Sequence, residues 1–439
     1  MTQPVVSDTL LRREIGRLGV ATIAMNGVIG SGIFALPAVA IAQAGYFSPW
    51  LFVLCGILIL SIALTLARAA SFFEITGGPV VYATHAFGRY VGFQTGLLIY
   101  VSRVAAIAAS ANLIVSHAAA LWSPLSAGGA RVAAILAYVF LATMANVAGL
   151  RSGMAAVYAM SLLKLAPLLL LILVGVPSVE WGLVASAQPL PIGQLGPAML
   201  IMMYAFIGFE FSLISAGETK NARAEIPKAL VSTVLAIAVC YTLIQLVTVS
   251  VGLDLGQSKT PLVEIARRLM GPVGALALGL GVVFSIGGAS ITSLLTAPRL
   301  TFALSRDGSL PKWFGGVNQK NGAPVNSILF CGAVSAVLAI AEGFLWLSAF
   351  STFVRLLTYA VCIASLPVIE KSVTSQKSQF RLPGGLVIPA VGMLLTLWLI
   401  SGSTLQTYVI TSIIIFVGTV VFLFCTRNSD VISNNSVHE

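Results

Sequence analysis

Four ionisable side chains lie deep within apolar stretches of this chain: Arg103, Lys164, Glu210 and Arg355. Their spacing is not that of a catalytic set. No Ser/His pair and no His-Glu-x-x-His run accompanies them, so the sequence reads as a non-enzyme. What such residues can do is hold charge where water is scarce. At mid-membrane each costs several kcal/mol unless it meets water, a partner or a ligand, so each is a candidate functional residue. A second group offers backbone chemistry. In Gly27-Val28-Ile29-Gly30-Ser31-Gly32-Ile33, three glycines and a serine fall within six residues of an apolar run. Each glycine gives up about 1 kcal/mol of helix propensity relative to alanine. The pattern predicts a helix that opens. Lipid cannot satisfy the bared N–H and C=O groups, so they must face protein, water or a ligand. A second such point is Ile207-Gly208, beside Glu210.

These residues need a scaffold, and the composition names its solvent. The chain has 439 residues, is 58% hydrophobic and 9% charged, and has a mean hydropathy of +0.99. A soluble domain carries about 25% charged residues. This is a polytopic, all-α membrane protein whose partner is the lipid bilayer, with room for roughly twelve spans at ~20 residues each. Charge-free runs mark them. The N-terminal segment 1–17 is polar and lacks a cleavable signal with a short apolar core. Spans 1 to 5 occupy 18–176, spans 6 to 10 occupy 194–367, spans 11 and 12 occupy 386–426, and 427–439 is a polar tail. Placing the N-terminus inside puts seventeen Lys and Arg on the cytoplasmic side and four (Arg131, Lys259, Arg267 and Arg268) outside, with three inside spans. The positive-inside rule then makes both termini cytoplasmic. The net charge of +10 faces the anionic inner leaflet, and no nucleic-acid partner is needed. Cys55, Cys240, Cys331, Cys362 and Cys425 all sit in apolar runs without a Cys-x-x-Cys or Cys/His cluster, so no metal, cofactor or disulfide is expected.

Five spans separate the interruption in span 1 from that in span 6. This suggests two five-helix repeats, the second inverted because each holds an odd number of helices. Matched breaks in inverted repeats are the sequence pointer to a transporter's binding site. At these residues the chain resembles the amino acid–polyamine–organocation (APC) transporters. Gly30-Ser31-Gly32-Ile33-Phe34 looks like their first-helix motif. Phe206-Ile207-Gly208-Phe209-Glu210, followed by Gly217-Glu218-Thr219-Lys220-Asn221 and Ile226-Pro227-Lys228-Ala229, looks like their sixth-helix motif and loop. Thr76-Gly77-Gly78-Pro79 with Tyr82, and Ser305-Arg306-Asp307-Gly308 with Leu310-Pro311, match loop signatures after helices 2 and 8. The resemblance runs through spans 1 to 10 in order. It implies a LeuT-type fold: twelve helices, five plus five inverted, with two more at the C-terminus and helices 1 and 6 discontinuous. It also implies amino-acid or amine transport by alternating access.

An amino acid is a zwitterion, and an opened helix can hold both ends without side-chain charge. The N–H groups of Ser31, Gly32 and Ile33, at the positive end of the second half-helix, suit a carboxylate. The carbonyls of Val28 and Ile29, with those of Tyr204 and Ile207 in span 6, suit an ammonium. The bland alternative for the glycines is close helix packing. Tyr204 matches a gate aromatic that closes over substrate, with Phe206 or Phe209 as substitutes. Lys164 resembles a lysine of sodium-independent APC members whose ammonium stands in for a sodium ion and ties helix 1 to helix 5. A buried lysine also loses a proton more readily, so protons are a candidate co-substrate, and a homodimer is compatible with the class. For Arg103, Glu210 and Arg355 two readings stay open: a net positive interior that suits an anionic substrate group, or Glu210 paired with one arginine while the other faces water or carbonyls. Ser285, Ser290, Ser351 and Thr352 are pocket hydroxyls or back-bonded helix residues. The expected protein is a bacterial inner-membrane amino-acid permease, sodium-independent and driven by protons or exchange. An antiporter or exporter of the same fold is the near alternative, and a non-transporting amino-acid sensor is the alternative from another class.

Overall fold

The structure is a computed structural model that describes residues 13, 15–75, 77–148, 154–318, 323–372, 380–382 and 384–435. Thr76 of the first loop motif, Arg12, Arg151, Lys320 and Lys377 of the charge sorting, and most of the N-terminal segment lie outside the described residues.

Among the described residues the chain is helical throughout, in sixteen α-helices: α1 Arg17–Val28, α2 Gly32–Ala44, α3 Ser48–Ala70, α4 Pro79–Phe87, α5 Arg89–Leu121, α6 Gly128–Val147, α7 Met154–Gly175, α8 Trp181–Ala185, α9 Ile192–Met202, α10 Phe211–Ile214, α11 Ala222–Val251, α12 Pro261–Arg306, α13 Val325–Ala341, α14 Phe344–Ser372, α15 Val387–Ser401 and α16 Leu405–Asn435. Eight stretches are long and apolar enough to cross a membrane. Four fewer than the sequence suggests pass that length, for a physical reason. The first expected span is split into α1 and α2, and the sixth into α9 and α10. Two more, α13 and α15, are apolar but only 17 and 15 residues long. Large apolar side chains point outward, such as Leu173 on α7 at 73% exposed and Phe424 on α16 at 71%. Water would penalise such a surface, and hydrocarbon accepts it.

The interior holds one large apolar cluster and two smaller ones, with Phe34, Phe52, Phe206, Phe209 and Tyr241 of the large one fully buried. The arrangement that matters is around the interruptions. α1 packs on α7, α10 and α11, while α5 lies between α12 and α14. The two broken helices meet at glycines. A Cβ added at Gly27 would overlap the backbone of Gly208, and the reverse also holds. Gly208 has φ of 120°, a value only glycine adopts freely. A Cβ at Gly32 would lie 2.7 Å from Cα of Ala205. Close packing and an opened backbone therefore occur at the same residues.

Candidate binding site at the two helix interruptions

α1 ends at Val28 and α2 begins at Gly32. The first N–H groups of a helix have no acceptor within it. Ser31 stands at the N-cap without a capping side-chain bond, so the positive end of α2 is open. The other end of this break is finished by side chains from elsewhere. Lys164 Nζ on α7 donates to the carbonyls of Asn26 (3.1 Å) and Ile29 (2.7 Å). Ser285 on α12 also donates to Ile29 O, at 3.0 Å. Val28 O accepts the N–H of Gly30 at 2.8 Å and the hydroxyl of Tyr241 at 3.4 Å. A carbonyl has two lone pairs. Val28 and Ile29 therefore each have two donors already, and the expectation that they offer carbonyls to an ammonium does not match this arrangement.

In the second break the chain runs from α9 through a 3-10 turn at Met203–Ala205 to α10. Here a side chain takes one of the N–H groups. Glu210 Oε2 accepts the N–H of Gly208 at 3.1 Å and the hydroxyl of Tyr359 at 2.7 Å. Its other oxygen forms an ion pair with Arg355 on α14, both side chains buried. Arg355 further donates from Nε and Nη2 to Ser102 Oγ at 3.0 and 2.9 Å. The carbonyls of Tyr204 and Ile207 accept no hydrogen bond from the described residues.

Both breaks line one cavity. Its wall includes Val28, Gly30, Ser31, Gly32, Tyr204, Ile207 and Gly208 from the breaks. α5 adds Arg103, Ala106, Ile107 and Ser110, α10 adds Phe211, α12 adds Ala289, Ser290 and Ser293, and α14 adds Arg355. Of the residues singled out in the sequence, Ile29, Ile33 and Phe206 are buried in the apolar core and off this wall. Phe206 packs against Phe52 and Tyr241 instead. Tyr204 crosses the cavity: its hydroxyl is 3.0 Å from Ser31 Oγ, and its ring meets Phe344 edge-on. Ser351 is bonded to Ser102, and Thr352 to the carbonyl of Ser348. Ser110, Ser293 and Phe211 were missed by the sequence reading. The first two carried a signal, since Arg103, Ile107 and Ser110, and likewise Ala289, Ser290 and Ser293, recur at the spacing of one helix face.

One end of the bundle is tied shut around the N-terminal segment. Ile15 N donates to Glu218 O at 3.0 Å and Lys220 N to Ile15 O at 2.9 Å. Glu74 pairs with both Arg13 (3.1 Å) and Arg223 (3.3 Å).

A bundle of long apolar helices, two of them interrupted at a shared polar cavity, defines a multi-pass membrane protein with a candidate site at those interruptions. The chain belongs to the amino acid permease family, whose sequence pattern matches residues 15–437. It is similar to the serine/threonine exchanger SteT of Bacillus subtilis, 25% identical over 410 residues covering 91% of this chain and 93% of that one. The methylthioribose transporter of Bacillus subtilis is 26% identical over 452 residues, covering 96% and 95%. The b(0,+)-type amino acid transporter 1 of Mus musculus is 26% identical over 409 residues, covering 90% and 83%.

Proposed function

We propose that this protein is a secondary amino-acid transporter that works by alternating access. The observation that carries the reading is the opposed finish of the two breaks on one cavity: open N–H donors at the start of α2, and free carbonyls at Tyr204 and Ile207. That is the complement of a zwitterion. The α-carboxylate takes the N–H groups of Ser31, Gly32 and Ile33, and the ammonium takes the two carbonyls. Tyr204 closes over the bound molecule. Two of the three relatives above carry amino acids in their names, which supports the same substrate class.

In this reading the chain makes twelve crossings, with α1–α7 and α9–α14 as inverted five-helix repeats and α15 and α16 added. Both termini are cytoplasmic, in a bacterial inner membrane, on the strength of the Lys and Arg distribution. The Arg13–Glu74–Arg223 cluster and the Ile15 pairing then form the cytoplasmic gate, which must part for inward release. Lys164 holds the end of α1 with a fixed ammonium where a sodium ion would otherwise bridge the helices. Transport is accordingly sodium-independent, and driven by a proton gradient or by exchange.

Uptake of each radiolabelled amino acid into proteoliposomes tests this, with and without sodium and with and without unlabelled amino acid inside. Saturable uptake that ignores sodium is the expected result. Gly30→Ala should keep it, because the new Cβ would lie 3.7 Å from Cβ of Ala289, an ordinary contact. Gly30→Leu should abolish it by filling the cavity. Uptake by Gly30→Leu at the wild-type rate would refute the site. Binding of an amino acid without any transport would favour a sensor.

A further inference from the structure

We propose that the substrate of this site is an acidic amino acid, and that Arg103 recognises its side-chain carboxylate. The inference rests on the transporter reading above and adds the substrate class.

The cavity's charge balance motivates it. The described residues bury three cations around the breaks, namely Arg103, Lys164 and Arg355, against one acid, Glu210. Glu210 is committed to Arg355, Gly208 and Tyr359. Lys164 is committed to two carbonyls that end α1. Arg103 is different. It is 1% exposed and lines the cavity. Its one hydrogen bond goes from Nη1 to Thr296 Oγ1, and its guanidinium lies 4.0 Å from the centre of the Phe211 ring. Nε and Nη2 have no partner among the described residues.

That unused edge has a chemical meaning. A guanidinium presents Nε–H and one Nη–H side by side, in the geometry that grips a carboxylate through two parallel bonds. Thr296 and the Phe211 face fix the plane of the group, and Nε and Nη2 stay buried without a partner among the described residues. A neutral amino acid brings a carboxylate and an ammonium, both taken by the two breaks, and leaves Arg103 uncompensated in a low-dielectric site. A cationic one adds a like charge beside two arginines. An amino acid with a second carboxylate brings one net negative charge and supplies the missing partner. Of the three classes, only the acidic one supplies Arg103 with a counter-charge.

Isothermal titration on the purified full-length protein tests this, with aspartate, glutamate, asparagine, glutamine, leucine and arginine as probes. Aspartate or glutamate should bind at least about tenfold tighter than its own amide, the low end of what a charge-assisted hydrogen bond provides. Arg103→Gln should remove that preference, so that the acid and its amide bind the variant with equal affinity. Arg103→Lys keeps the charge without the fork, and should retain part of the preference even where the glutamine variant does not fold. Neutral amino acids binding as tightly as acidic ones would overturn this inference alone. An intact preference in Arg103→Gln would overturn the role of Arg103. Binding of no amino acid of any class would overturn the transporter reading, and this inference with it.

Discussion

At the first interruption, residues from other helices bond the backbone: Lys164 from α7 takes the carbonyls of Asn26 and Ile29, Ser285 from α12 takes that of Ile29, and Tyr241 from α11 takes that of Val28. At the second, the chain completes itself, because Glu210 turns back two residues to accept the N–H of Gly208. The two solutions protect opposite poles. The first satisfies acceptors and leaves donors open at α2. The second satisfies a donor and leaves acceptors open at Tyr204 and Ile207. A break in a membrane helix must be satisfied by something, and here side chains take mainly carbonyls at the first break and the Gly208 N–H at the second. The side left open is what a zwitterion needs. In the proposed reading Lys164 and Glu210, both off the cavity wall, set the polarity of the site.

Removing these two residues should have unequal consequences. Glu210→Gln keeps an acceptor for Gly208 but leaves Arg355 without its counter-charge, with both side chains nearly inaccessible to water. Breaking a buried pair from one side costs about 3–5 kcal/mol, so thermal unfolding in detergent should shift far downward. The double variant Glu210→Gln/Arg355→Met should recover most of the loss. An unchanged midpoint in the single variant would mean that the second break does not depend on Glu210. Lys164→Met removes a charged donor worth about 1.5–3 kcal/mol from the end of α1. Transport should fall by roughly 10- to 100-fold with a smaller loss of stability. Unchanged kinetics at every pH would remove Lys164 from the mechanism.

The smallest effect belongs to a pair outside the membrane core. Asp254 and Arg268 are 65% and 41% exposed. The hydrogen bond from Arg268 holds the Asp254 carboxyl below its ordinary value. Such a carboxylate contributes above its ordinary pKa, and the contribution disappears as pH falls through the lowered value. Exposed pairs contribute little, so Arg268→Ala should leave the thermal midpoint and transport unchanged at neutral pH. A loss comparable to that of Glu210→Gln would erase the distinction between core and surface charges.

Much of this arrangement was legible in the sequence, for reasons that can be named. Glycine clusters inside apolar runs betray both breaks, because helix propensity and the lack of water make them costly there. A lone lysine in span 5 is equally conspicuous. The partner of Glu210 was left open between two arginines, and the fold chooses Arg355 by facing α14 toward the second break. Hydroxyls were the least legible. A serine in a membrane helix bonds its own backbone as readily as a neighbour, so nothing local separates Ser102, which anchors Arg355, from Thr352, which bonds Ser348. Likewise Ile29, Ile33 and Phe206 belong to the right segments, but their side chains face the core. Backbone position is written in local sequence, whereas side-chain direction depends on how helices are rotated against one another.

The central claim is the orientation of a zwitterion between the two breaks. A structure determined with the tightest-binding amino acid of the titration panel tests it most directly. The account predicts the α-carboxylate within hydrogen-bond distance of the N–H groups of Ser31, Gly32 and Ile33, and the ammonium against the carbonyls of Tyr204 and Ile207. A ligand in the reverse orientation, or one seated away from both breaks, would contradict it.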